Sequence, residues 1–321
     1  MKVLIISNMY PDRDKNFTYA GIFVKEQLDE LNKREGISCD IFAIDGFKSK
    51  LEYLKSVFEI NRLLATKEYD IIHVHYGLSG LFMLANPFKC WKNVVLTLHG
   101  GDILIKQGKT MQVALTKKLL RKVGKVITLN EEMNNVVKEF RDDYKVLPCG
   151  VDESFFNNEI KERKNQVLFP GRKDRPVKNY PFFKAVIEAY NKKFGHLEPV
   201  IVDGFTRDEV RDLMKSSSAI LMTSISEGSP QAIKESMACN LAVVSSDVGD
   251  VAHVLGNTTG TYVYSNTESP EDVAERLNHA IEESQTSPNS RCERIRDLQL
   301  GNAQVVDNLV EIYSEICSNA K

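Results

Sequence analysis

The chain has 321 residues, 42% of them hydrophobic and 27% charged, with a formal net charge of −2. Near-neutrality gives no electrostatic reason to expect nucleic acid as a partner, and no apolar run reaches the ~18–20 residues of a membrane span. The length fits two globular domains, and six scattered cysteines without a C-x-x-C pair fit reduced thiols in the cytoplasm.

The opening MKVLIISN has one lysine and an apolar stretch too short for a signal peptide, so it reads as a first buried strand. Further β-rich runs follow at 39–44, 71–75, 94–99, 126–130 and 145–148. A second series lies at 166–171, 199–204, 219–224, 241–246 and 261–264. Between the runs lie helical periods: GIFVKEQLDELNKR, LEYLKSVFEINRLLATK and MQVALTKKLLRKV, then YPFFKAVIEAYNKKF, RDEVRDLMKSS and PQAIKESMAC. Strands alternating with helices predict an α/β chain of parallel sheets covered on both faces, and this many strands fit two sheets better than one.

The polar, aperiodic stretch 149–165 is the expected boundary. The expectation is two Rossmann-like, doubly wound domains, 1–150 and 151–300, facing a central cleft. Residues 301–321 form a last amphipathic helix, free to pack back on the first domain, with Val305, Val306, Leu309, Ile312, Tyr313 and Ile316 on its apolar side.

Open α/β sheets bind ligands at the carboxyl ends of their strands, so the residues after each strand are the candidates. After the first strand a polar loop reaches Gly21 at a helix start, where backbone N–H groups can approach an anion. The same glycine would also serve simply to ease a loop into a helix. No G-x-G-x-x-G is present, so a dinucleotide fingerprint is not supported. The fourth strand ends in TLHGGDIL, which puts His99 at a cleft edge beside paired glycines. His73 and His75 alternate with apolar residues and read as core or cleft-wall histidines, since no further metal ligands lie nearby in sequence.

The seventh strand runs into PGRKDRPVKNYP, where Arg172, Lys173, Arg175 and Lys178 gather at a strand end next to a helix start. A planar guanidinium fork and a mobile ammonium there suit a diphosphate. The ninth strand leads into SEGSPQAIKESMACN. Its Pro230 suits the first helical position and Ser229 the cap before it. Ile233 and Met237 are expected on the buried face, with Gln231, Glu235 and Cys239 opposite. Glu227 precedes this helix and Glu235 leans back toward its start, so two carboxylates bracket an anion-ready turn made of Gly228, Ser229 and Pro230. Asp247, Gly249 and Asp250 after the tenth strand fit either a sugar contact or a plain turn.

In this order GIFVKEQ, TLHGGDI, LPCGVD, FPGR with Lys178, EGSPQAIKE and ESMACNLAVVSSDVGDV resemble the family 4 glycosyltransferases, over roughly residues 1–265. The resemblance implies the GT-B fold and a retaining, metal-independent hexosyltransferase of the bacterial cell-surface polysaccharide type, using no cofactor. It implies a nucleotide-diphosphate sugar as donor and a glycan or lipid-linked sugar as acceptor. By position, Arg172 and Lys178 would hold the diphosphate, Glu227 and His99 would stand by the transferred sugar, Glu235 would bind the ribose hydroxyls, and Gly21 would lie beside the phosphates. Gly228, Ser229, Pro230 and Gln231 would line the substrate turn. Retention in the family is explained by same-face attack, with the donor phosphate helping to deprotonate the acceptor. Two departures stand out. Ala20-Gly21 replaces the pair of glycines seen in many members, and a single strand lies between YPFFKAVIEAYNKKF and RDEVRDLM, where the family usually adds a strand–helix unit.

Two rivals remain at this level, a GT-B-like sugar-nucleotide epimerase and a non-catalytic two-lobed sugar-binding protein. The segment 109–125, with Lys109, Lys117, Lys118, Arg121, Lys122 and Lys125 beside Val113, Leu115, Leu119 and Leu120, reads as a basic amphipathic helix. It is either a solvated outer helix or a peripheral contact with the cytoplasmic face of the inner membrane.

Overall fold

The computed structural model describes residues 1–11, 21–46, 48–86, 88–89, 91–104, 110–159, 161–287 and 289–319. The chain divides into two compact units, Met1–Gly150 with Asn302–Lys321, and Val151–Gly301. The first unit begins with β1 (Lys2–Ser7), α1 (Ile22–Leu31), β2 (Ser38–Ala43), α2 (Leu51–Thr66) and β3 (Ile71–His75). A 3-10 helix (Gly77–Ala85), β4 (Trp91–Thr97), α3 (Thr110–Leu120), β5 (Val123–Thr128), α4 (Glu131–Val137) and β6 (Tyr144–Val146) follow. The second unit holds β7 (Lys164–Phe169), a 3-10 turn (Pro176–Lys178), α5 (Tyr180–Phe194), β8 (Glu198–Ile201), α6 (Arg207–Ser216) and β9 (Ser217–Met222). It continues through α7 (Gln231–Ala238), β10 (Ala242–Ser246), α8 (Val251–Leu255), β11 (Thr261–Tyr264), α9 (Pro270–Thr286) and α10 (Ser290–Asp297). The last helix, α11 (Asn302–Asn319), belongs to the first unit.

Both sheets are parallel, with strand orders β2-β1-β3-β4-β5-β6 and β11-β10-β9-β7-β8. Their strands are unbroken apolar runs because helices cover both faces: Val3 to Ile6 and Ala219 to Met222 are each at most 1% exposed. In the first unit α11 closes one face. Val306, Leu309, Ile312, Tyr313 and Ile316 pack with Val3 and Ile5 of β1 and with Val24, Leu28 and Leu31 of α1.

The basic segment departs from its expected form. α3 stops at Leu120, and Lys125 lies in β5, because the strand begins at Val123. Val113, Leu119 and Leu120 are buried in the unit, Leu115 is half-buried, and Lys109 lies outside the described residues. Among the described residues no helix is long and apolar enough to cross a membrane.

Candidate active site

Each sheet reverses its winding direction once, between β1 and β3 in the first unit and between β7 and β9 in the second. Loops leaving two such strands diverge, which opens a crevice at their carboxyl ends.

In the second unit the loops after β7 and β9 are tied together. The Ile225 N–H donates to the Val177 carbonyl at 2.8 Å, and Thr223 Oγ1 donates to the Lys178 carbonyl at 2.9 Å. Asn179 turns the chain into α5 at φ 51°, a left-handed conformation that asparagine tolerates. Gly171, at φ 146°, lies under the lysine stem: a Cβ there would sit 3.0 Å from Lys178 Cε. Lys178 Nζ thereby reaches Glu227 Oε1 at 2.8 Å, with the two side chains only 14% and 20% exposed. Ser224 Oγ donates to the same carboxylate oxygen at 2.8 Å. Arg172 behaves differently. Its Nε and Nη2 fork onto Asp174 of the same loop at 3.0 and 2.5 Å, and its side chain is 44% exposed.

The turn into α7 corrects two expectations. Pro230, not Ser229, occupies the cap, and the helix begins at Gln231. The Ser229 hydroxyl instead donates to Asp250 Oδ2 at 2.5 Å and accepts from Lys234 Nζ at 3.0 Å. Lys234 and Asp250 are 1% and 9% exposed, and buried charges need polar partners, which the serine supplies. Burial holds the Asp250 carboxyl above the usual carboxylate range. The second correction concerns the faces of α7, which is buried all round from Ile233 to Ala238. Glu235 is therefore buried, not set on an open face, and its Oε1 accepts from Arg207 Nη1 at 2.7 Å. Arg207 opens α6 and lies over the Phe156 ring, 4.4 Å from its centroid. Glu227 and Glu235 thus have separate cations, Lys178 and Arg207. Gly228 and Pro230 are buried, and Ser229 and Gln231 half-buried.

In the first unit Gly21 sits at the start of α1 with φ 79°, and a Cβ would fall 2.2 Å from the Met9 carbonyl oxygen. Only glycine fits this approach of helix to strand end. Two residues on, Phe23 packs against His99 with ring centroids 4.9 Å apart. Tyr76 stacks on His99 at 4.2 Å and 30°. Its backbone has φ 67°, a strained conformation for a bulky residue and of the kind that gathers at functional sites. Asp102 anchors this corner by accepting the backbone N–H groups of His99 at 2.9 Å and Gly77 at 3.0 Å. Burial pushes its carboxyl up to about 6, against the pull of those donors.

The other two histidines part company. His73 is a satisfied core residue, with Nδ1 2.6 Å from the Tyr313 hydroxyl and Nε2 2.7 Å from Thr97 Oγ1. His75 reaches the site itself, its Nδ1 3.2 Å from His99 Nε2. Burial pushes His75 down to about 3, and holds His73 and His99 well below the ordinary histidine value.

This cluster is expected to make the fold sensitive to acid. Folded-state values below the unfolded ~6.5 mean that unfolding takes up three protons, so stability is full above that pH and lost as pH falls through it. Asp102, raised in the fold, works in the opposite direction between about 6 and 4. The net expectation is a loss of about 2 kcal/mol from pH 7 to pH 6, measured by urea unfolding and much reduced in His73→Phe/His75→Phe.

Tyr76, Phe23, Arg207 and Lys234 are site residues that stood outside the candidates expected from the sequence. Only Arg207 carries a local signal, since Thr206 and Glu209 form a capping box that fixes where α6 starts.

Similarities to known proteins follow the same division. The family model described as Glycosyltransferase Family 4 matches residues 3–155, and the one described as Glycosyl transferases group 1 matches residues 183–296. These matches support glycosyltransferase activity. The chain is 23% identical over 249 residues to the uncharacterized glycosyltransferase MJ1178 of Methanocaldococcus jannaschii, covering 71% of this chain and 70% of that one. It is 24% identical over 220 residues to TuaC of Bacillus subtilis, named as a teichuronic acid biosynthesis glycosyltransferase, covering 58% of this chain and just over half, 55%, of TuaC. Sucrose-phosphate synthase from Thermosynechococcus elongatus superposes with a TM-score of 0.81 at 14% identity, over 99% of each chain. The glycosyltransferase fold is therefore GT-B, built of two parallel-sheet α/β units.

Proposed function

We propose that this glycosyltransferase moves a hexose from a nucleotide-diphosphate sugar, with retention and without a metal ion or cofactor, to a glycan or lipid-linked acceptor in cell-surface polysaccharide synthesis. The observation that carries the reading is the Lys178–Glu227 pair at the winding reversal of the second sheet, beside the amino end of α7. A departing diphosphate gains charge as the glycosidic bond breaks. Cations and helix-end N–H groups fixed in advance stabilise that charge more in the transition state than in the ground state. Lys178 and Arg172 meet the phosphates in this reading, the turn Gly228 to Gln231 runs alongside them, and Glu235 takes the ribose hydroxyls. His99 meets the transferred sugar, and Gly21 brings α1 close to the same ligand. The donor phosphate itself takes the acceptor proton. TuaC, by its name, supports a surface polymer as the destination of the sugar.

The test is a thermal-shift panel of UDP-, GDP- and ADP-linked hexoses with and without EDTA, followed by NMR of the product anomer. One nucleotide series is expected to stabilise the protein by about 2.7 kcal/mol at a hundredfold excess over Kd, with no effect of EDTA, and the product to keep the donor's anomeric configuration. An inverted product, or no shift with any donor, would sink the proposal.

Arg172 offers a finer check. Its fork must leave Asp174 to meet a phosphate, so Asp174→Asn is expected to bind the nucleoside diphosphate about threefold more tightly by calorimetry, the size usual for an exposed ion pair. Unchanged or weaker binding would remove Arg172 from the phosphate site.

A further inference from the structure

His75 and His99 share one contact, Nδ1 to Nε2 at 3.2 Å, and both rings are neutral, so one donates and the other accepts. Two arrangements satisfy it. In the first, His75 carries its proton on Nδ1 and donates, which leaves its Nε2 bare. In the second, His99 donates from Nε2, and His75 must then carry its proton on Nε2. That nitrogen is sealed from solvent and has no hydrogen-bond partner among the described residues. The second arrangement strands a buried N–H, the rarest kind of unpaired polar group, whereas the first strands only a lone pair. The rings have little freedom to rearrange. His75 packs 4.2 Å from His73, itself bonded at both nitrogens, and His99 lies between Tyr76 and Phe23.

We infer that His75 is a positioning residue that holds His99 as its Nδ1–H tautomer, so that His99 meets its ligand as a hydrogen-bond donor and not as a base. The inference deepens the reading that His99 faces the transferred sugar, and its kinetic consequence rests on that reading. A sugar oxygen accepts from His99 Nδ1–H, and removal of the acceptor proton falls to another group. Nothing about the contact suits His99 to take that proton, because its other nitrogen is already occupied by the His75 N–H.

Nitrogen-15 NMR of the intact chain, labelled at histidine, reads the tautomer of each of its six histidines, and His99→Gln assigns the His99 signals by their loss. The expected result is an Nδ1–H pattern for His99. An Nε2–H pattern overturns the inference, and the wild-type spectrum alone decides this even if a variant fails to fold. In His75→Leu, which cannot donate, the His99 pattern is expected to shift toward Nε2–H. With whichever hexose nucleotide gave the largest thermal shift, kcat should fall about tenfold while the donor KM stays within about twofold. His75→Asn places an amide N–H near the lost Nδ1–H and should restore the wild-type pattern and most of kcat. A His99 pattern unmoved in His75→Leu also overturns the inference. A shifted pattern with unchanged kcat upholds the tautomer assignment and removes His99 from the sugar.

Discussion

Lys178→Ala is expected to lower kcat/KM by about 10²–10³-fold while leaving the fold within about 2 kcal/mol of wild type. The kinetic size is that of removing one preorganised charge from a departing anion, and most of it should appear in kcat, because the phosphates carry more charge in the transition state than in the bound donor. The small structural cost follows from local geometry. Glu227 loses an ion pair that is 14% and 20% exposed but keeps the Ser224 hydroxyl at 2.8 Å, so no carboxylate is left wholly unpartnered. Lys178→Arg should not restore the rate, since a planar guanidinium is longer and spreads its charge over a wide fork instead of placing it at the Nζ position beside Glu227. Turnover of Lys178→Ala within tenfold of wild type, by product assay under saturating donor, would remove the pair from the chemistry. Glu227→Ala should fail as completely, for a different reason: the ammonium would swing free of the position that the carboxylate holds for it.

The strands were the legible part of this fold. A parallel strand buried on both faces must be apolar throughout, so its run shows in the sequence without help from its neighbours. The eleven runs correspond to the eleven strands among the described residues, the largest shifts in a start being at β4 and β5, which begin at Trp91 and Val123. Helices were less legible where their signals were unusual. The helix at 270–286 is absent from the expected elements, although Val273, Leu277 and Ile281 recur four apart and Ser269 and Asp272 form a capping box there, with aspartate where glutamate is usual. The face of α7 was misjudged because Lys234, Glu235 and Ser236 look like a solvated side. The partner of Glu235, Arg207, lies 28 residues away, and Lys234 bonds the Ser229 hydroxyl, whose own acceptor, Asp250, lies 21 residues from it. Pairings of that separation leave no local pattern. Nor does the strained backbone of Tyr76, since nothing in HYG distinguishes φ 67° from an ordinary turn. Arg172 shows the opposite case. Its fork onto Asp174 is an R-x-D contact open to reading from the sequence, yet the basic composition of the loop drew attention to phosphate first.

Glu235→Ala separates the two things that this carboxylate does. Removing it takes away the carboxylate that accepts from the Arg207 guanidinium, which is 22% exposed, and a hydrogen bond between charged groups so placed is worth about 1.5–3 kcal/mol. It also removes the acceptor proposed for the ribose hydroxyls, and a hydrogen bond to a charged group is worth about 1.5–3 kcal/mol, so the donor KM should rise about 10- to 100-fold. A single variant confounds these effects, because a loosened α6–α7 contact would itself weaken donor binding. The double variant Glu235→Ala/Arg207→Met resolves them. It removes the cation together with the carboxylate while keeping an apolar stem over Phe156, so most of the lost stability should return in urea unfolding. The donor KM should stay high, since nothing in the double variant replaces the carboxylate. If donor affinity instead returns together with stability, Glu235 serves only as the counterion of Arg207, and the ribose must be held by other groups.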